Sequence, residues 1–477
     1  MKHYKILFSV VLFLSLFSCK KLIEIKETDF IGGDIALKTV ANNEQGIIGA
    51  YAGLGTEMDI LLNATFSDEV KKAEFYNAAT THEWQYTSTD ITIRDNFTAF
   101  LYFYRTIDRV NRVLVALPKA DSIKAGDEVL RRKLKGEALF LRAYCHFELY
   151  RYYCGNYDPA GLGLAYMETP SLEPTARIAM GPYFQKMNAD IVEAKGLLPN
   201  DLVDVLRATK LAATGLQARV ALYMKDWPNA ITYSTEYIAG LPLSPRATFN
   251  GIWTDANSNE VAFKLKRSTG NRIGSLFRGT SSKAANGDTL IGTITWAPSD
   301  KLYNSFDQVN DIRFSSYLKN DPLLVKQGRN FKLIQKYAGT GYTSASENVN
   351  DGKVFRTGEM YLIRAEAKAE NNDLAGAAAD INALRTARIT GYTNIAYASK
   401  DLAITDIMLE RFKELAFEGN RFFDLKRKNL PVDRIASDAP STSAATLAAG
   451  NFRFTLPIPN VEIKANKLMV QNPGYTN

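Results

Sequence analysis

Cysteine and histidine each occur only three times in 477 residues. That scarcity excludes disulfide-framework folds and removes the usual parts of metal and His-dependent nucleophile chemistry. The chain also has no H-E-x-x-H, no G-x-S-x-G, no P-loop and no complete G-x-G-x-x-G. Charge of one sign is scarce too. Discounting Lys2 and Lys5 of the N-terminal leader leaves 56 basic against 51 acidic residues, a net charge of about +5 that is too weak to argue for nucleic acid. Beyond the N-terminus no apolar run approaches the roughly 20 residues of a membrane-spanning helix. With 46% hydrophobic and 23% charged residues, the chain has the composition of a globular protein with one large core or two to three domain-sized ones.

The N-terminus is where apolar residues do run together. Lys2 and Lys5 precede an apolar stretch from Ile6 to Phe17 broken only by two serines, the layout of a secretory signal. It ends in "LFSCKK" (Leu16 to Lys21), where two large residues precede Ser18 and Cys19, resembling a bacterial lipobox. Lipidation would make Cys19 the first residue of the mature chain, with several acyl chains holding it on a membrane. The alternative is an ordinary cleavage site with an incidental cysteine. Cys145 and Cys154 lie nine residues apart in one helical pattern, roughly 13 Å between Cα atoms and beyond disulfide reach. They read as free thiols, with Cys145 buried, and a bridge is open to them only if the helix breaks near Tyr152.

Most of the rest reads as paired helices, so the expected class is mainly α, a TPR-like scaffold of helical hairpins with irregular and short β insertions. "GEALFLRAYCHFELYRYY" (Gly136 to Tyr153) has an apolar, aromatic face that a partner must cover, and His146 there reads as a core histidine, far in sequence from His82. The stretches Ala213 to Ile238 and Tyr361 to Arg385 share one layout. Each has a helix with a small inward residue (Ala218, Ala365), a short turn, and a second helix with another (Ala230, Ala377). This resembles tetratricopeptide hairpins, here scattered along the chain rather than tandem. Phe103, Val110, Val113 and Leu117-Pro118 also align with Phe184, Ile191, Ala194 and Leu198-Pro199. Residues 1–18 form the signal, 19–240 an N-terminal helical region and 241–477 a C-terminal region with a loop-rich insertion. Two irregular segments, Asn63 to Asn96 and Gly240 to Phe355, carry strand-like pieces such as "EVAFKL" and are where binding function is expected. "STSAATLAAG" (Ser441 to Gly450) reads as an exposed loop.

"ERFKELAFEGNRFFDLKRKN" (Glu410 to Asn429) resembles the hallmark of the SusD/RagB family of outer-membrane nutrient-binding lipoproteins. "LFSCKK", "GEALFLRAYCHFELYRYYCG" and the closing "LPIPNVEIKANKLMVQNPGY" (Leu456 to Tyr475) agree with it. The likeness runs essentially the whole chain, with departures at "KANKLM" and at Cys154. Physically, Glu410, Glu414 and Glu418 are spaced one turn apart among Arg411, Lys413 and Arg421 and read as ion-paired scaffold on one helix, not as a glycosidase acid/base pair.

What the resemblance implies is a surface lipoprotein, not an enzyme, without a cofactor. It would capture a glycan, or in some members a peptide, and sit on a SusC-like TonB-dependent transporter in the outer membrane. A sugar ring calls for flat aromatics beside amide or charged groups. The candidates are Asp68, Tyr76, Asn77, Trp84 and Tyr86 in the first irregular segment, and Arg278 and Trp296 in the second. Trp84 and Trp296 read either as stacking platforms or as core, Trp227 and Trp253 as core. Two rivals stand beside this reading: an exported glycosidase with two facing carboxylates, and a helical adaptor, which would need a continuous groove of tandem repeats.

Overall fold

The computed structural model describes residues 33–55, 57–90 and 99–476. Cys19 with its leader, and residues 91–98 of the first irregular segment, lie outside the described residues. The fold is mainly α. Helices α1 (Val40–Ala52) and α2 (Glu57–Phe66) precede the scaffold helices α3 (Ala99–Ala116), α4 (Asp127–Tyr153), α5 (Met180–Leu197), α6 (Lys210–Met224) and α7 (Trp227–Gly240). After a long insertion come α8 (Thr357–Glu370), α9 (Leu374–Arg388), α10 (Lys400–Glu414) and α11 (Arg421–Arg427).

From α3 to α9 each of these helices packs on the next, and α10 packs on α8. The hairpins that are scattered in sequence are therefore stacked in tandem in space, which corrects the expectation and removes the ground for setting a helical adaptor aside. Helix α7 lies directly against α8 although the insertion separates them in the chain. The largest apolar cluster takes residues from Val40 to Ile458.

The two TPR-like hairpins turn in the same way. Lys225 (φ 59°) and Asn372 (φ 62°) both adopt the left-handed conformation, and the following Asp226 and Asp373 cap α7 and α9 by accepting from Asn229 N and Gly376 N. Ala218, Ala230, Ala365 and Ala377 are all fully buried. Ala230→Phe or Ala377→Phe is expected to destabilise by about 1–3 kcal/mol through overpacking between helices. Thermal melting checks this, and unchanged melting in both variants would contradict the close approach of the paired helices.

Helix α4 is covered on every side from Gly136 to Tyr153, more than the single apolar face expected, because α3 and α5 pack along it and α1 crosses it. Its polar residues survive burial by pairing. Arg142 forks onto Asp190 (2.5 and 2.7 Å), and His146 Nε2 accepts from Met167 N while Nδ1 meets the Tyr183 hydroxyl. Burial lowers the His146 pKa to about 3, so the ring is neutral. Cys145 and Cys154 are free and buried, and Cys154 is the residue that ends α4. Burial pushes the thiol of Cys154 up to about 11.

The insertion is pinned at its base by β2 (Val261–Leu265), inside the expected "EVAFKL", pairing antiparallel with β8 (Gly352–Arg356). It has its own apolar cluster, containing Phe249, Trp253, Tyr317 and Tyr337. The hallmark ties this cluster to the scaffold. Glu410 accepts from Arg313 and Arg385 (2.5 and 2.6 Å). Glu414 lies between Arg356, Arg388 and Arg313 (2.8, 3.0 and 3.1 Å). The ion-paired role expected of these carboxylates is thus what the structure has, but most of their partners come from other elements. The single helix does not hold: α10 ends at Glu414, and Phe417 (φ 60°) and Gly419 (φ 76°) turn the chain into α11. That turn brings Glu418 onto Arg356 and Lys336 (2.8 and 2.7 Å). Lys426 of α11 donates to the carbonyls of Arg151 and Cys154, placing its charge at the C-terminus of α4.

Candidate functional site

The two irregular segments meet, through residues that lie more than 200 positions apart in sequence. The first is less irregular than expected, since α2 runs to Phe66, β1 (Val70–Lys72) follows, and Ala79–His82 makes one helical turn. In the second, Ser281–Lys283 (β3) and Thr289–Ile291 (β4) form one pair, and Trp296–Pro298 (β5) pairs antiparallel with β1, Val70 opposite Pro298 and Lys72 opposite Trp296. Leu318–Asn320 (β6) pairs with Lys332–Ile334 (β7). Beyond the β1–β5 pair an ion pair closes the junction. Arg329 Nη2 donates to Glu74 (2.6 Å) and to the carbonyl of Gly292, and its Nη1 donates to that of Ile291. Glu74 in turn accepts from Ile294 N.

Around this junction apolar side chains are left in solvent. Phe75 is 54% exposed, Leu290 47% and Phe331 39%, each within two residues of a group that meets there. Asn77 is exposed and Tyr76 partly so. Tyr76 donates to Glu83 (2.8 Å), which fixes its ring. Tyr342, partly exposed, lies 5.3 Å from the guanidinium of Arg278 and 5.3 Å from the ammonium of Lys319. The surface of this region thus offers Phe75, the edges of Tyr76 and Tyr342, the amide of Asn77 and the ammonium of Lys319, groups that a ring with an apolar side and a polar rim can use.

The other sequence candidates lie beneath it. Trp84 is only 4% exposed, donates from Nε1 to Phe66 O (2.9 Å) and is covered by Arg434 at 4.2 Å from its ring. Trp296 is 7% exposed and packs against His82 and Tyr76. Tyr86 stacks on Phe66 and its hydroxyl donates to Arg453 O. Arg278 donates to Asn348 (2.9 Å). Burial works to raise the Asp68 carboxyl, but Arg421 and Lys301 outweigh it and hold the group well below the usual carboxylate range, with the Arg421 fork at 2.7 and 2.8 Å. Of the two readings left open for Trp84 and Trp296, the structure places both in the interior, so neither offers a ring to solvent. The physical reason is that loops with few ladder bonds are held by their side chains, and the largest and most charged ones are used for that. His82 is buried and neutral, its pKa lowered by burial to about 3.

Phe75, Leu290, Phe331 and Tyr342 were not singled out in the sequence. Phe75 sits inside "EFYNAATTHEWQY", yet nothing in the letters tells which ring of such a loop faces out. "STSAATLAAG" is largely exposed, apart from buried Ala444 and Leu447. Among the described residues no group of three or more His, Cys, Asp or Glu is placed to hold a metal ion. No helix among them is long and apolar enough to cross a membrane.

Stacked helical hairpins that carry a long insertion, folded back to build one exposed face, define a helical-repeat scaffold protein with a loop-built surface. Two family models match the chain: "Starch-binding associating with outer membrane" over residues 32–222 and "SusD family" over 293–475. This chain belongs to the SusD/RagB family, whose members are carbohydrate-binding proteins associated with the outer membrane. It is 23% identical to SusD-like protein P2 of Formosa agariphila over the full length of both chains. A SusD superfamily protein from Bacteroides thetaiotaomicron shares the fold with a TM-score of 0.78 at 21% identity, covering 91% of this chain and 100% of that one. A laminarin-binding SusD-like protein superposes with a TM-score of 0.71 at 21% identity, over 92% of this chain and 100% of its own.

Proposed function

We propose that this protein is a surface-exposed outer-membrane lipoprotein, anchored through Cys19, that binds a glycan on the face around Phe75, Tyr76 and Asn77 and passes it to a SusC-like TonB-dependent transporter. The observation that carries the reading is the junction itself: two distant irregular segments are clamped by the β1–β5 pair and the Glu74–Arg329 contact onto a rigid scaffold. Exposed Phe75, Leu290 and Phe331 each lie within two residues in sequence of a group that meets there. Rigid placement of a few aromatic and polar groups limits the entropy lost when a sugar is held. The laminarin-binding relative makes β-glucans a reasonable first ligand to test.

Phe75→Ala is expected to weaken glycan binding by about 1–2 kcal/mol while leaving melting nearly unchanged, and Tyr76→Ala to weaken it as much with some loss of stability, because its ring also packs on Trp296. A glycan array followed by calorimetry on the soluble mature chain, run beside a peptide library, checks this. Binding of peptides alone would replace the ligand class, and unaltered affinity in both variants would move the site elsewhere. For the anchor, cells fed labelled palmitate are expected to label the wild type and not Cys19→Ala. Equal labelling of both would contradict lipid anchoring through Cys19.

A further inference from the structure

We propose that the scaffold holds a second saccharide subsite, apart from the loop-built face, in a cavity of about 330 Å³, and that it takes one neutral hexose unit. The inference rests on the glycan-binding reading above and adds a place and a ligand class to it. The cavity lies where the α6–α7 turn faces the ends of α8 and α11, and its walls include Trp227, Lys225, Asn156, Asn429, Glu370 and Lys428. None of these belongs to the segments that form the other face.

Trp227 is the feature that points to a sugar. It was expected in the core, but it is only half-buried and packs against the main apolar cluster, whereas Trp84, Trp253 and Trp296 are all buried. An indole that is held in place and open on one side suits the apolar side of a pyranose. The polar groups around it favour hydroxyls over an acid. Lys428 and Lys400 already share Glu370 (2.7 and 2.5 Å), and Arg427 forks onto Glu366 (2.5 and 2.7 Å). Those charges are matched. Lys225 is exposed, so its ammonium is solvated and screened, and the amides of Asn156 and Asn429 complete the wall. Asn156 Nδ2 is spent on Lys426 O (3.0 Å), so its oxygen remains an acceptor. The volume is at the lower end of ligand pockets, which run from about 300 to 1,000 Å³, so it limits the occupant to a small unit of a chain.

The walls also allow clean variants. Lys225 (φ 59°) and Asn429 (φ 52°) both hold left-handed backbone, where glycine is at least as comfortable as the native residue, so Lys225→Gly and Asn429→Gly remove side chains without straining the fold. Because Trp227 is the most open of the four tryptophans, acrylamide quenching of intrinsic fluorescence reports on this cavity. The soluble mature chain is titrated with glucose, galactose, mannose, laminarihexaose and maltohexaose, by calorimetry and by quenching in parallel. The expected result is that a saccharide producing heat also shields the quenchable tryptophan. Trp227→Ala should remove the quenchable signal and weaken the heat-producing binding about tenfold, both glycine variants should weaken the shielding about tenfold in concentration, and the glycine variants should melt like the wild type. A saccharide that binds in calorimetry but leaves quenching unchanged, with both glycine variants behaving as wild type, overturns the cavity while the loop-built face stands. Absence of heat with every sugar overturns both.

Discussion

Glu414→Ala is expected to destabilise the protein by about 3–5 kcal/mol, the cost of breaking a buried ion cluster by removing one partner. Glu414 is fully buried and touches Arg313, Arg356 and Arg388, all of them buried as well. Without the carboxylate three guanidiniums stay in the interior with less countercharge, and the joint between insertion and scaffold loses its hub. Thermal or denaturant melting reads this directly. Near-native stability would mean that water enters and solvates the arginines. The same group sets an acid limit. Burial acts to raise the Glu414 carboxyl, but Arg388, Arg356 and Arg313 outweigh it and hold it well below its ordinary 4.5. A carboxyl depressed in the folded state contributes fully above its unfolded value and loses that contribution as pH falls toward the folded one. Stability of the wild type should therefore drop as pH is lowered below about 4.5, and the Glu414→Ala variant should show a shallower drop.

Trp84→Ala is expected to melt much earlier, with a loss of about 3–5 kcal/mol typical of a large buried aromatic. The ring packs in the main cluster, its N–H satisfies the carbonyl of Phe66, and it shields Arg434. Arg434 in turn donates to the carbonyls of Ser67, His82 and Ala444, so loss of the indole loosens a point where three loops meet. Folded molecules of this variant should bind ligand with native affinity, since the ring does not reach solvent. Calorimetry at low temperature together with a melting curve separates the outcomes. Native melting with weakened binding would instead make Trp84 a platform that opens on contact with ligand.

Much of the fold was legible because it is written in local patterns. Helical periodicity, the small residues at Ala218, Ala230, Ala365 and Ala377 and the closing Leu-Pro pairs each depend on neighbours a few positions away, and all lie where the sequence puts them. Cys145 and Cys154, the first inside α4 and the second at its cap, are free as their spacing suggested. The hallmark stretch was legible as scaffold, since alternating acids and bases beside an apolar side rarely serve anything but pairing.

Tertiary structure decided what depends on long-range placement. The hairpins before and after the insertion look scattered in the chain and are adjacent in space, because the insertion leaves and returns at the β2–β8 pair and excluded volume alone does not register in a sequence. The partners of Glu410 and Glu414 come largely from Arg313, Arg356, Arg385 and Arg388, far away in sequence, where charge pattern within a helix cannot foretell them. The exposed face followed the same logic. Trp84 and Trp296 carry the most apolar area, so the loops fold over them, and smaller Phe75 and Phe331 remain outside. Composition told that aromatic residues gather in those segments, but which ring is covered is fixed by the β1–β5 register and the Glu74–Arg329 contact, a property of the folded chain alone.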